Sequence, residues 1–441
     1  MISLLDKILS QPIQSAFFKG ISGLLMFFSI SFLVRYLGEQ AYGVWILVFS
    51  FFQWGLYFDF GISNVLKSKI PELISKNENH KINLFISESI KLTTLISIVL
   101  FLICLFFILF FNLSSIFNIG YKEVFIKQFF LTNLFFFCIN FILSINKSLF
   151  IGVLNPKISE KSASINQFVF LISIVIIFLS LDKISIINKL WIITVINGLS
   201  TTFVNSYYLY LFFEKKNYTI NLFNKFNYVI SKEILFVGVK FMAIQTFMAI
   251  IFFSDPYFIS AYSDPKTVSL FDILNKLFQM PLLIMLAGIS SFWPFFSQNY
   301  HSKNYFWFNN IFKKFETIFL IISLIVFLFA FLSPYIINFW IGDKYGESIQ
   351  ITLLILMAFI IMFRVYFTFY LNFLNGINRL NSQIIVMGFT AIIKIPLTIY
   401  ILKNGFGLNG LFFQLLLFML SWSIIFKIES LLLIRKMKNE K

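Results

Sequence analysis

Residues 88–111 read ESIKLTTLISIVLFLICLFFILFF, and after Lys91 twenty residues pass without a charge. A helix rises 1.5 Å per residue, so about twenty apolar residues match the roughly 30 Å hydrocarbon core of a bilayer. Strands of a membrane barrel would alternate over about ten residues, whereas this block is continuous. Working outward, similar blocks bounded by polar punctuation fall at 15–34, 42–64, 123–145, 163–181, 189–212, 234–254, 267–293, 312–337, 349–372, 382–402 and 409–432. The expectation is an all-α membrane protein with about twelve spanning helices. Composition agrees: of 441 residues 59% are hydrophobic and 12% charged, whereas a soluble domain carries about 25% charge. The N-terminal stretch has no separate apolar core before a small-residue cleavage site, so its first apolar block reads as a permanent span.

Basic residues concentrate in cytoplasmic loops. Lys67, Lys69, Lys76 and Lys81 follow the second block, Lys147, Lys157 and Lys161 the fourth, and Lys215, Lys216, Lys225 and Lys232 the sixth. Lys303, Lys313 and Lys314, then Arg379, then the tail from Arg435 continue the series, while the alternate loops are poorer in cations. Both termini are therefore expected in the cytoplasm, which requires an even number of spans. The net charge of +16 reads as this bias together with attraction to anionic lipid headgroups, not as a nucleic-acid footprint.

The chain also resembles itself. FNIGYKEVFI (117–126) is echoed by FWIGDKYGESI (339–349), and LFIGVLNPK (149–157) by FLNGINR (373–379), both at an offset of about 220 residues. An even number of spans per half makes these parallel repeats, with chance similarity in a low-complexity sequence as the alternative. The expected organisation is a six-helix lobe at 1–213, a cytoplasmic linker at 214–232 and a second six-helix lobe at 233–441.

Charge inside a span costs roughly 2.5–3.5 kcal/mol on insertion scales and marks a pathway, a binding site or a buried ion pair. Six charged residues of the expected spans stand as candidates: Asp59, Lys240, Asp272, Lys276, Arg364 and Lys394, with a sum of +2. Lys394 sits near a midplane, where even a long side chain snorkels poorly, and Pro396 beside it suggests a kink. Asp272 and Lys276 are spaced i, i+4 and can pair. Arg364 suits bidentate phosphate binding, with snorkelling as the equal alternative. Lys240 reads chiefly as a snorkelling cation, and Asp59 as a helix-terminal contact or a proton-coupling group. Asn133, Asn140, Asn166, Gln167, Gln245 and Gln279 read as groups that tie helices together.

Other chemistries find no support. The only histidines, His80 and His301, fall in loops, no metal-ligand spacing occurs, and there is no phosphate loop. Cys104 and Cys138 lie in apolar stretches as packing residues. The expected outer loops are too short for a catalytic domain, so no enzyme activity, metal or cofactor is expected.

The segment YLGEQAYGVWILVFSFFQWGLYFDFGISNVLKSKIPE (36–72) resembles the start of the polysaccharide lipid-intermediate flippases of the O-antigen flippase (Wzx) type. These belong to the multidrug, oligosaccharidyl-lipid and polysaccharide exporter superfamily. The matching residues are Leu37, Gly38, Tyr42, Gly43, Asp59 and Gly61, then Asp255, Tyr262, Lys276, Pro281, Trp293 and Pro294. The resemblance implies two six-helix lobes around a central cavity, alternating access and a bacterial inner-membrane location. It implies as substrate an undecaprenyl-pyrophosphate-linked oligosaccharide, with membrane lipids, a polysaccharide polymerase and a chain-length regulator as partners. Lys394, Lys276, Arg364 and Lys240 would then hold the pyrophosphate, with Asp59 and Asp272 as coupling candidates. A multidrug or cation exporter of the same superfamily is the alternative, although it should place uncompensated carboxylates in its cavity. A membrane-embedded polymerase is a third reading, opposed by the short loops.

Overall fold

The computed structural model describes residues 2–55, 59–116, 121–181, 184–216, 218, 225–262, 265–341 and 349–439. Among these residues there are seventeen α-helices and no strand. In the first half they are α1 Ile2–Leu37, α2 Glu39–Gly55, α3 Ile62–Ser75, α4 Asn79–Phe110, α5 Leu113–Ile116, α6 Glu123–Leu143, α7 Ile145–Gly152, α8 Pro156–Ser180 and α9 Ile186–Lys216. There follow α10 Tyr228–Phe253, α11 Asp255–Tyr262, α12 Pro265–Ser290, α13 Trp293–His301, α14 Tyr305–Ile341, α15 Ile351–Gly376, α16 Asn381–Lys403 and α17 Gly407–Asn439.

Eleven helical stretches of the described residues are long and apolar enough to cross a bilayer, which makes the chain a multi-pass membrane protein. The span expected at 42–64 is the exception. Its helix α2 has 17 residues, about 26 Å of rise, close to the hydrocarbon thickness. Beyond it, Phe60 (φ 49°) and Gly61 (φ 69°) are both left-handed, a conformation an α-helix cannot continue through. A turn there starts α3 instead. The outward faces are inverted relative to a soluble protein: Leu179, Phe203, Leu324 and Phe339 are 77%, 70%, 72% and 94% exposed. Only lipid tails can cover such a surface without cost.

The chain divides into two compact units, Met1–Met242 and Ala243–Lys441. In the first, α1 packs on α8, α4 and α9 on α6, and α3 on α7. Trp45 anchors its core, stacked on Phe49 at 5.2 Å and Phe170 at 6.4 Å between centroids. In the second, α15 is central, packed by α12, α13, α14 and α17. There the Phe315 and Phe369 rings lie parallel at 3.7 Å, and Phe296 and Phe312 meet Phe373 edge-on.

One of the two internal matches has a structural counterpart. After α7 the Leu154 N–H bonds the Ile151 carbonyl and the Asn155 N–H the Phe150 carbonyl; after α15 the same closure runs from Asn378 to Asn375 and from Arg379 to Leu374. Each closure turns on one left-handed residue, Leu154 at φ 63° and Asn378 at φ 57°. A second closure recurs after α3 and α13, turning on Asn77 and Lys303. The glycines repeat too: a Cβ on Gly152 would meet Leu66 and Ile70 of α3, and one on Gly376 would meet Trp293, Phe296 and Ser297 of α13. Short-range hydrogen bonding and close helix approach are thus duplicated, not only sequence. The other match lies largely at 117–120 and 342–348, outside the described residues.

Candidate functional site

Within the second unit, α10, α11, α12, α15 and α17 enclose a cavity of about 230 Å³. Arg364 of α15 and Lys276 of α12 line it together with Asp255, the first residue of α11. Packing of α12 on α15 brings the two cations to one wall although 88 residues separate them in sequence. The Arg364 guanidinium lies 3.9 Å from the Phe252 ring centroid, also in the lining. A guanidinium over an aromatic face can keep its edge N–H groups for an acceptor. Among the described residues no carboxylate forms an ion pair with Arg364.

Lys394 has a different situation from the one the sequence suggested. Its ammonium donates to Asp255 Oδ1 at 2.6 Å, the two side chains being 0% and 1% exposed. It is the cationic half of a buried pair and does not line the cavity. Pro396 sits inside an unbroken α16, and the Gln414 amide reaches the Lys394 carbonyl at 3.1 Å while accepting from the Thr398 hydroxyl at 3.0 Å. Asp255 lies one residue beyond the span expected at 234–254, outside the charge sum of the expected spans. Counting it lowers the sum from +2 to +1. Its second oxygen, Oδ2, is buried without a hydrogen-bond partner.

The other candidates are dispersed. Lys240 belongs to the first unit and lies 4.7 Å from the Phe236 ring on its own helix. Both Asp59 oxygens are engaged: Oδ1 accepts from the Gly61 N–H at 2.8 Å and Oδ2 from the Ser63 N–H at 3.2 Å. The carboxylate thus starts α3, as a helix-terminal contact does. On the same helix, burial pushes the Lys67 ammonium below its ordinary value, against the attraction of Asp59 and Glu160. The Asp272 side chain, and with it the expected pair to Lys276, lies outside the described residues.

Sequence reading passed over two further charged groups. Glu316 Oε1 accepts from the Tyr366 and Tyr370 hydroxyls, each at 2.7 Å, and pairs with Lys427 at 2.8 Å. Glu88 and Lys91 pair at 2.8 Å inside the first unit, so buried charge is not confined to the second half. The first unit also holds a cavity of about 410 Å³ between α6, α8 and α9, lined by Asn133, Asn140, Asn166, Thr194 and Asn205 with phenylalanine rings. A signal for it was present. Thr194, Asn197, Thr201 and Asn205 follow one another at three- or four-residue spacing, a polar stripe down one face of an apolar helix.

The family model of the polysaccharide biosynthesis proteins matches residues 13–300. No curated protein matches at a significant level. A crystal structure of a MATE protein in its straight conformation superposes with a TM-score of 0.79 at 15% identity, covering 98% of this chain and 96% of that one. An outward-facing multidrug resistance MATE family transporter of the MOP superfamily gives 0.75 at 15% identity, covering 98% and 97%. A MOP superfamily transporter from Pyrococcus furiosus, described as having a binding pocket of reverse polarity, gives 0.74 at 16% identity with the same coverage. At these identities the likeness establishes the fold.

Proposed function

The chain belongs to the polysaccharide biosynthesis protein family, and from that premise we propose that it is a flippase for an undecaprenyl-pyrophosphate-linked oligosaccharide. It moves an O-antigen or related repeat unit from the cytoplasmic to the periplasmic leaflet of a bacterial inner membrane, with both of its own termini in the cytoplasm. Family and fold point to a transporter rather than an enzyme. The observation that carries the substrate reading is the second-unit cavity, where Arg364 and Lys276 share a wall and Asp255, the carboxylate beside them, is already matched by Lys394. A pyrophosphate diester carries about two negative charges, and two cations at the edge of hydrocarbon replace its hydration shell. The Arg364 fork, beside Phe252, offers parallel N–H groups to one phosphate; Lys276 supplies a point charge.

Four carboxylates of the described residues count against the multidrug or cation-exporter reading. Glu88, Asp255 and Glu316 each hold a lysine, and Asp59 is spent on a helix start. A cation exporter needs an acid that is free to meet its substrate.

Surface glycan display in a strain lacking the native gene tests the reading. Arg364→Ala and Lys276→Ala at normal protein level should each reduce display, with Arg364→Lys restoring it only in part because the fork is lost. Normal display by both alanine variants sinks the assignment.

A further inference from the structure

We infer that the first unit carries a sugar-binding site of its own, in the 410 Å³ cavity between α6, α8 and α9. Its size lies within the range of about 300–1,000 Å³ typical of small-ligand pockets. The chemistry of its wall selects the ligand. Among the described residues no carboxylate lines it and Lys147 is the one charged residue, which speaks against a multivalent metal ion or an organic cation. What remains is mainly amides and hydroxyls, each able to accept and, save for the carbonyl ends, to donate. Phenylalanine rings such as Phe136 and Phe137 stand among them. Sugar hydroxyls both donate and accept, and the apolar face of a pyranose packs on an aromatic ring. Lys147 at the wall further admits an acidic sugar.

Part of the wall is tied up and part is not. Asn205 Nδ2 donates to Asn140 Oδ1 at 3.1 Å, and Asn140 Nδ2 donates to Thr202 Oγ1 at 2.9 Å, which fixes those amides in orientation. Asn166 Nδ2 donates to Thr201 Oγ1 at 3.3 Å, but Asn166 Oδ1 has no partner. Thr194 lines the cavity at 3% exposure, and its hydroxyl has no partner either. A buried polar atom left unmade is costly, so two of them on one amide-lined cavity mark groups held ready for a ligand. Gly198 completes the enclosure: a Cβ there would collide with the Phe136 ring, so only glycine lets α9 approach that wall. The proposal rests on the flippase reading for why a sugar is present at all.

The test uses the purified full chain and free sugars, a hexose, an N-acetylhexosamine, a hexuronic acid and their disaccharides, with binding read by saturation-transfer NMR. At least one sugar should bind the native chain, and Thr194→Val and Asn166→Ala should each weaken it about tenfold, the equivalent of one hydrogen bond. Thr194→Val is isosteric and removes only an unpartnered hydroxyl, so its melting temperature should hold or rise. Inorganic pyrophosphate, which reports on the cavity of Arg364, should bind both variants as it binds the native chain. Failure of every sugar to bind, or equal binding by native chain and both variants, overturns this site. Failure of pyrophosphate to bind the native chain counts instead against the flippase reading.

Discussion

Replacing Lys394 by Met would strand the Asp255 carboxylate at a site where the side chain is 1% exposed. The partner stands at 2.6 Å, and Oδ2 already lacks a donor, so the carboxylate would lose the one side-chain hydrogen bond described for it. Breaking a buried pair from one side costs about 3–5 kcal/mol, whereas replacing both halves with apolar residues is close to neutral or stabilising. Lys394→Met and Asp255→Leu should therefore each lose about 3–5 kcal/mol and the double variant far less, a coupling of roughly 3 kcal/mol or more. Unfolding of the purified variants in mixed micelles, analysed as a double-mutant cycle, measures it. A coupling below about 0.5 kcal/mol, the scatter expected of independent sites, would refute the assignment of Lys394 to the pair. The double variant should also display surface glycan. A double variant that folds but fails to display would return Lys394 to the substrate role suggested by its place in the sequence.

Three further outcomes follow from the packing. Glu316→Gln leaves Lys427, Tyr366 and Tyr370 without their common acceptor; because Glu316 and Lys427 are 39% and 36% exposed, the expected loss is only about 1 kcal/mol in the same unfolding assay. Asp59→Ala removes the acceptor for two backbone N–H groups and should cost about 1 kcal/mol, with Asp59→Asn recovering most of it. Gly238→Ala drives a Cβ into the Phe60 carbonyl, a backbone atom that cannot swing aside, and should lower stability by about 1–3 kcal/mol; a variant as stable as the native chain would contradict the close approach of α10 to the Asp59–Gly61 turn.

The spans were legible because lipid imposes a length and a composition on each helix independently of its neighbours. The break at Asp59–Gly61 was visible only as a motif, since apolar content continues across it and nothing in hydropathy registers two left-handed residues. Arg364 and Lys276 stood out as buried cations, but their meeting depends on the packing of α12 against α15, which no local pattern encodes. Asp255 shows the reverse failure. The family resemblance marked it, yet a span boundary drawn one residue short removed it from the electrostatics, and its partner lies 139 residues away. The amide cavity was read residue by residue as interhelical ties. That reading fits Asn140, which bonds Asn205 across helices, and does not reach Thr194, whose hydroxyl bonds nothing.

The central claim is that Arg364 engages the pyrophosphate of a lipid-linked glycan. Its most direct test is flipping in proteoliposomes, scored as the fraction of a fluorescent polyprenyl-pyrophosphate disaccharide that becomes reachable by an externally added glycosidase. The native chain should expose the lipid in a time-dependent way, and Arg364→Ala at equal reconstitution should fall at least about tenfold, the loss of one charge-assisted hydrogen bond. Flipping by Arg364→Ala at the native rate would contradict the account.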